Sequence, residues 1–491
     1  MTLPESVAVA ATNSESALPK PEALDQAFLR EMANMGRERL GKYTTAEKYY
    51  EGDQDTLLTD RAKTYLERSG LRYHENYCST VVDVVADRSR VVGIDTPEFP
   101  DLGAWLWATI WDKNRLDVEQ HRFHTELLKR GDAFMVAEMG QKGYPLLRLN
   151  YPDMIRVDYV DGEPVRAVKV WNTDAASPVN PPVGVSPRGR PVMRMNIYYA
   201  DRIEKYYKAG KDEGSLWAPW IDYGDEFFPS PNVINDDPML PRGIPIIHFA
   251  NLRQRNGYGM AEHYSTIPQQ DRLNKELVDL SMVMDTLGFP QRYAVGVTNT
   301  ATLRSVPGEV WSSEDPQTAF GQFPAADVDG MIRAIENTIS RIAARSRTPS
   351  HMLLVAGGAP SGESLKTAES GLVAKAKARQ YEWGESWASA LRYAAVLMNE
   401  MGNPADRFPI SMEDLLDTPI NITWADSESR NEKEHLESLS IMASLGVSQR
   451  TILSKLEGID PMTELGNVAD ETGTSADALA SAIDRGAMTL G

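Results

Sequence analysis

A chain of 491 residues is long enough for two to four domains and a sizeable core, and 42% hydrophobic with 25% charged residues is the balance of a soluble globular protein. A formal net charge of −19 disfavours adhesion of most of the surface to nucleic acid or anionic membrane. The single cysteine, Cys78, excludes an intrachain disulfide framework and points to a reducing compartment, and no apolar run approaches the roughly 20 residues that span a bilayer.

Residues 1–25 lack a basic start and a continuous apolar stretch, so they read as a mobile tail rather than a secretory signal. Residues 24–44 have the pattern of an amphipathic helix leading into the turn KYYEGDQD. Helices are predicted at 57–70, 75–90, 102–112 and 115–130, with Cys78 in the core of the second. The period then changes to two. Short strands are predicted at 133–139, 145–151, 165–172 and 192–200, separated by turns such as VDGEP and by a Pro/Ser/Gly-rich surface loop at 172–191. YADRIEKYYKAGK continues the meander, and 242–251 reads as a last buried strand. A long helix is predicted next at 261–287, with Leu273, Leu277, Leu280, Met284 and Leu287 on one face. A compact module of short strands interrupts it before a second helix at 327–346, which carries Ile332, Ile335, Ile339 and Ile342 at helical spacing. Another long helix is expected over 362–401, a strand over 419–426, and helical structure over 427–488. The expected fold class is α+β.

Between the second and third long helices lies LLVAGGAPSGESLK, whose Gly357 and Gly362 have the spacing of a phosphate-binding loop. Glu363 stands where that motif needs lysine, so a carboxylate would face the phosphates with like charge. A helix rather than a buried strand precedes it, and Thr348 and Pro349 end that helix. Ser361 is a natural N-cap for the third long helix. The loop reads as a helix-to-helix connection. Around it the charge reverses: residues 331–379 hold eight Lys/Arg against three acids, whereas residues 401–491 hold sixteen acids against six Lys/Arg.

Nothing in the sequence marks a catalyst. H-E-x-x-H, G-x-S-x-G and Cys/His clusters are absent. His121 and His124 share a predicted helix, but two residues are a weak metal set, and a surface helix is the expected setting. No catalytic, cofactor-binding or metal-binding residue is assigned.

Four stretches together resemble the portal proteins of tailed bacteriophages, in the siphovirus-type branch. KYYEGDQD with NYCSTVVDVVADRSRVVGID is similar to the family's amino-terminal turn and asparagine-led helix. IPIIHFANLRQRNGYGMAEHYSTIPQQDRLNKELVDLSMVMDTLGFPQRYAVG resembles the strand, glycine turn and long helix that enter its stem. IENTISRIAARSRTPSHMLLVAGGAPSGESLKTAESGL resembles the second stem helix, the tunnel loop and the long helix beyond it, and the acidic end resembles a crown.

The resemblance implies a tail at 1–25, a mixed α/β wing at 26–260 and stem helices at 261–288 and 327–348. It further implies a small clip at 289–326, a tunnel loop at 349–362, a long helix with the wing's return strand at 363–426, and a helical crown at 427–491. It implies a ring, usually dodecameric, at one capsid vertex of the virion, assembled in the host cytoplasm. Double-stranded DNA would pass through the tunnel without sequence reading during packaging and ejection. Terminase, a head–tail adaptor, the major capsid protein and scaffolding protein would be partners; a membrane would not. Leu353, Leu354, Val355, Gly357, Gly358, Pro360, Ser361 and Gly362 would form the tunnel loop, with its apolar members touching the adjacent subunit. Arg341, Arg345, Arg347 and Lys366 would be candidates to face DNA. Phe289, Tyr293, Val295, Val310 and Trp311 would form an intersubunit core in the clip. The rival readings are another head structural protein of capsid type and a degenerate nucleotide-binding protein.

Overall fold

A computed structural model describes residues 25–35, 39–54, 58–69, 75–140, 142–173, 192–199, 203–209, 216–219, 244–288, 292–296, 311–312, 316–322, 328–354, 362–428, 432–446 and Ile452. Helices and sheets are mixed, as expected for α+β. The chain divides into two compact units, residues 1–360 with 368–424, and residues 361–367 with 425–491. In the second unit α11 (Glu432–Ser444) buries Leu439; the rest of the helical structure expected over 427–488 falls largely outside the described residues.

The first unit begins with two helices where one was expected, α1 (Gln26–Met35) and α2 (Leu40–Glu51). Gly52, at φ 75°, ends α2 by donating its N–H to the Lys48 carbonyl, the left-handed cap that glycine adopts without strain. After α3 (Asp60–Ser69), Asn76 caps α4 (Tyr77–Ala86) by accepting from the Cys78 N–H. Cys78 is buried and its thiol is pushed up to about 12 by that burial, so it is a core residue. The sequence VVGID continues as β1 (Val91–Asp95), which pairs antiparallel with β12 (Asn421–Trp424). Between them in sequence, α5 (Pro100–Leu106) runs into a π-helical turn (Trp107–Trp111) ahead of α6 (Leu116–Arg130).

The meander forms two sheets. One has the order β3-β2-β9, from β2 (Asp132–Met139), β3 (Pro145–Asn150) and β9 (Ile246–Ala250). The other has the order β4-β5-β6-β7-β8, from β4 (Ile155–Val160), β5 (Glu163–Thr173), β6 (Val192–Tyr198), β7 (Ile203–Ala209) and β8 (Ala218–Pro219). β4 is a strand that the periodicity reading passed over. The chain then makes a 3-10 turn (Tyr264–Thr266) into α7 (Ile267–Gly288). The strands β10 (Arg292–Val295) and β11 (Ala319–Gln322) pair antiparallel ahead of α8 (Val328–Ser346). α9 (Gly362–Met401) is 40 residues long, about 60 Å at helical rise, and α10 (Met412–Asp417) precedes β12.

The largest core packs the inner face of α9 on α4, α5, α6 and β2, with Trp111, Trp383, Trp387, Phe123 and Phe249 fully buried. His124 belongs to it, which corrects the expectation of a surface helix. Its ring stacks on Trp383 at 5.1 Å, its Nε2 accepts from Trp387 Nε1 at 3.1 Å, and burial pushes its pKa down to about 3. His121, one turn earlier, stays exposed, 4.0 Å from Asp87. The two rings point to different environments and make no ligand pair.

A second buried network anchors the turn that enters α7. Asp132 Oδ1 accepts from the Gly259 N–H at 2.6 Å and lies 2.8 Å from His248 Nε2, while Oδ2 accepts from Tyr43 OH at 2.8 Å. Arg39 lies 3.5 Å from the same carboxylate and donates to the Gly259 carbonyl at 2.6 Å. Burial raises the Asp132 pKa, but His248, the Gly259 N–H and Arg39 outweigh it and hold the carboxyl below its usual range. This geometry requires glycine at 259. A Cβ there would lie 1.9 Å from the Gly131 carbonyl oxygen and 2.6 Å from that of Asn251. Gly259→Ala is expected to cost about 3–5 kcal/mol, since backbone on both sides must move. A guanidinium unfolding curve checks this, and an unchanged midpoint would refute it.

Candidate functional site

The features that sequence reasoning singled out lie along the α7–α8 hairpin, on the strand pair between its helices and, in the second unit, at the start of α9. The hairpin zips along an apolar seam. Leu273, Ile335, Ile339, Ile342 and Ala343 are buried, with Leu277 and Leu280 packed against them. Thr338 Oγ1 donates to Glu276 Oε2 at 2.8 Å beside that seam. Toward β10–β11 the seam opens. Met284 is 57% exposed and Ile332 41%, although both continue the apolar spacing of their helices.

The strand pair carries more of the same character. Tyr293 and Val295 are 44% and 58% exposed, and Phe320 is exposed beside half-buried Trp311 at 6.1 Å between ring centroids. Tyr293 lies across from Gly321 in the register, and its ring covers that glycine so closely that a Cβ would sit 2.5 Å from Cζ. Of the predicted clip residues, Phe289 and Val310 lie outside the described residues.

At the far end of α8 the chain turns through Arg347, whose φ is 54°, then Thr348 and Pro349, into a 3-10 turn (Ser350–Met352). Leu353 is buried against Val81, Leu273 and the isoleucines of α8, with Leu354 packed on the same cluster. Within their own chain Leu353 is buried and Leu354 half-buried. Val355, Gly357, Gly358, Pro360 and Ser361 lie outside the described residues, and Gly362 is the first residue of α9. The loop is preceded by α8 and a 3-10 turn, not by the strand a phosphate-binding loop requires.

The basic segment divides in two. Arg341, Arg345 and Arg347 are exposed, and Arg345 Nε donates to the Ser265 carbonyl at 2.6 Å. Lys366 is exposed in the first turns of α9. Lys375 and Arg379 are instead buried, with Nζ and Nε 3.3 and 3.1 Å from the two carboxylate oxygens of Glu262. Lys375 also donates to the Ser346 carbonyl at 2.8 Å, tying the end of α8 to α9. Burial raises the Glu262 pKa, but Lys375 and Arg379 more than offset this and keep it below the ordinary carboxylate range. A second clamp joins Arg88 and His351 to Glu369, at 3.3 and 3.7 Å. Sequence reading missed both, because the partners lie far apart in the chain; the only local signal was Lys375 and Arg379 at one-turn spacing on the apolar side of α9.

The chain matches the sequence profile described as phage portal protein, SPP1 Gp6-like, over residues 31–477. It belongs to that family. It is a structural component of the phage particle, with a portal's place at the capsid vertex. The portal protein of Mycobacterium phage D29 is 22% identical to it over 428 residues, covering 82% of this chain and 81% of that protein. The portal protein of Mycobacterium phage L5 is 22% identical over 383 residues, covering 73% and 72%. Among solved structures, a chain from the neck of an empty gene transfer agent particle computed with C6 symmetry has a TM-score of 0.42 at 11% identity, covering 86% of this chain and 96% of that one.

Proposed function

We propose that this portal protein assembles a closed ring of identical subunits, twelve by the family resemblance, around a tunnel through which double-stranded DNA is packaged and ejected. The exposed apolar side chains of Met284, Ile332, Tyr293, Val295 and Phe320, on the open end of the hairpin and on both faces of the strand pair, carry this reading, since a lone soluble chain gains nothing by presenting them. In the ring, 289–326 acts as clip, α7 and α8 as stem, 349–362 as tunnel loop and 427–491 as crown. The clip docks terminase during packaging and the tail adaptor afterwards, and the wing meets the capsid and scaffolding proteins. The ring forms in the host cytoplasm and performs no catalysis; nucleotide hydrolysis belongs to the terminase.

Deleting residues 298–316 is expected to leave soluble monomers and to abolish rings and adaptor binding. Negative-stain imaging and mass photometry of purified protein test this directly. Intact rings from the deletion, or a wild-type chain that stays monomeric at high concentration, would overturn it.

The exposed arginines of α8 supply the DNA contact. Arg345 is already engaged by the Ser265 carbonyl, which leaves Arg341 as the better candidate for a ring of charge facing the phosphates. Arg341→Glu is expected to assemble normally and to shift DNA retention roughly tenfold at low salt, with the difference shrinking as salt rises. If charge reversal at Arg341, Arg345 and Arg347 each leaves packaged length and retention unchanged, these residues do not face DNA.

A further inference from the structure

The turn between β9 and α7 is exposed over residues 253–256 and stiff at the same time. Gln254 N donates to the Tyr258 carbonyl at 2.8 Å, Gly257 N to that of Gln254 at 2.9 Å, and Met260 N to that of Asn251 at 2.7 Å. Leu252 and Gly257 make the bend at φ 51° and 80°. Tyr258 roots it, its hydroxyl donating to the Val157 carbonyl at 2.7 Å and accepting from the Val157 N–H at 2.8 Å. Two arginines stand on this turn. Arg253 lies 3.5 Å from Glu382, whereas Arg255 has no acid within ion-pair distance among the described residues.

The same unit holds a feature of opposite shape and sign. A cavity of about 550 Å³ opens between the end of α2, α4 and α6, in the size range that holds ligand groups. Asp83 and Asp87, one turn apart, line it. Asp83 Oδ1 accepts from Tyr50 OH at 2.9 Å, and Asp87 lies 4.0 Å from His121 Nε2. Neither carboxylate has a lysine or arginine within ion-pair distance among the described residues. The other charged groups of the lining are engaged elsewhere. Glu126 lies 3.1 Å from Lys129 and 3.4 Å from Arg130, and Arg122 donates to Tyr151 OH at 2.9 Å. Burial raises the Asp83 pKa; the Tyr50 hydroxyl opposes that rise and Asp87 reinforces it. A cation between the two carboxylates would relieve both causes.

We infer that Arg255 of one subunit seats between Asp83 and Asp87 of the next, so that the turn and the cavity form a head-to-tail contact of the ring. The inference rests on the ring reading. A closed ring needs two different patches that complement each other, because its contacts are heterologous. Here the two patches differ in shape and in sign, and each lacks its counter-ion within one chain. A guanidinium can donate to both carboxylates at once, and a turn already held by its own hydrogen bonds loses little freedom on docking. Copies of a chain with net charge −19 repel one another over most of their surface, so contact is favoured where unlike charges meet.

The test is mass photometry of the full-length chain across a dilution series at low and high salt. Arg255→Asp and Asp87→Arg, made singly, are each expected to raise the concentration for half-assembly at least about fivefold, less so at high salt. Both positions are exposed, so thermal midpoints of the dissociated chains should match wild type. The two changes in one chain exchange the signs of the pair and should restore assembly. A wild-type chain that forms no rings refutes the ring reading itself. Rings from wild type and from both single variants at equal concentration refute only this contact, as does a double variant no better than the singles. Loss of adaptor or terminase binding with ring formation unchanged would give the cavity to that partner and overturn the inference.

Discussion

The Glu262→Gln chain is expected to unfold roughly 10 °C below the native one, a loss of about 3–5 kcal/mol. The carboxylate is buried between two cations that are themselves buried, and it also accepts from Asn251 Nδ2 at 3.1 Å. Neutralising it strands Lys375 and Arg379 without the countercharge that made their burial tolerable. The prediction is about unpaired charge, and a second variant separates that from lost packing. Adding Lys375→Met and Arg379→Met to Glu262→Gln should recover much of the stability, because no buried charge then remains. Differential scanning calorimetry on the three chains decides it. A Glu262→Gln midpoint equal to that of wild type would show that the triad is not what joins α9 to the chain before α7.

The second large effect is with acid. His124, His248 and His263 are buried, and burial is the leading cause of a lowered pKa in each, to about 3 for His124 and about 4 for His263. The folded chain keeps these rings neutral, while the unfolded chain protonates them near the ordinary histidine value of roughly 6.5. Below that value the unfolded state binds more protons, so stability falls as pH falls. The loss begins near 6.5 and continues down to the folded values. At pH 4.5, two units below the start, His124 and His263 each remove about 3 kcal/mol. Asp132 and Glu262, with lowered carboxyl pKa values, add losses of the same sign in stronger acid. Guanidinium midpoints at pH 7.5 and pH 5 should therefore differ clearly, and His124→Gln should flatten the dependence by about one proton. Equal midpoints across that range would contradict the assignment of neutral buried rings.

The two long helices, the strand pair between them and the helix after the glycine loop were legible because their apolar spacing is regular and their breaks carry Pro or Gly. Ile335, Ile339 and Ile342 sit where the pattern puts them. β4 was harder. IRVDYV is short and comes soon after a proline, yet it is followed by Asp161 and Gly162, both at positive φ. A D-G turn of that kind implies a strand on each side, and only the second was read. His124 was misplaced because residues three apart lie on neighbouring parts of a helix surface, and a single edge divides solvent from core. The basic segment was counted correctly but not sorted. Which cations turn inward depends on Glu262, more than a hundred residues away, and no local pattern contains that partner.

The seam between α7 and α8 is closed at the end near Leu353 and open toward Met284 and Ile332. A hairpin of this kind separates two events in time. The closed half draws its stability from contacts inside one chain, so it forms at any protein concentration, as the first chains leave the ribosome. Under the ring reading, the open half gains its burial only from neighbours, and its ordering follows mass action. Dilution should then melt the tip while leaving the root folded, and the number of free subunits would set when rings begin to close.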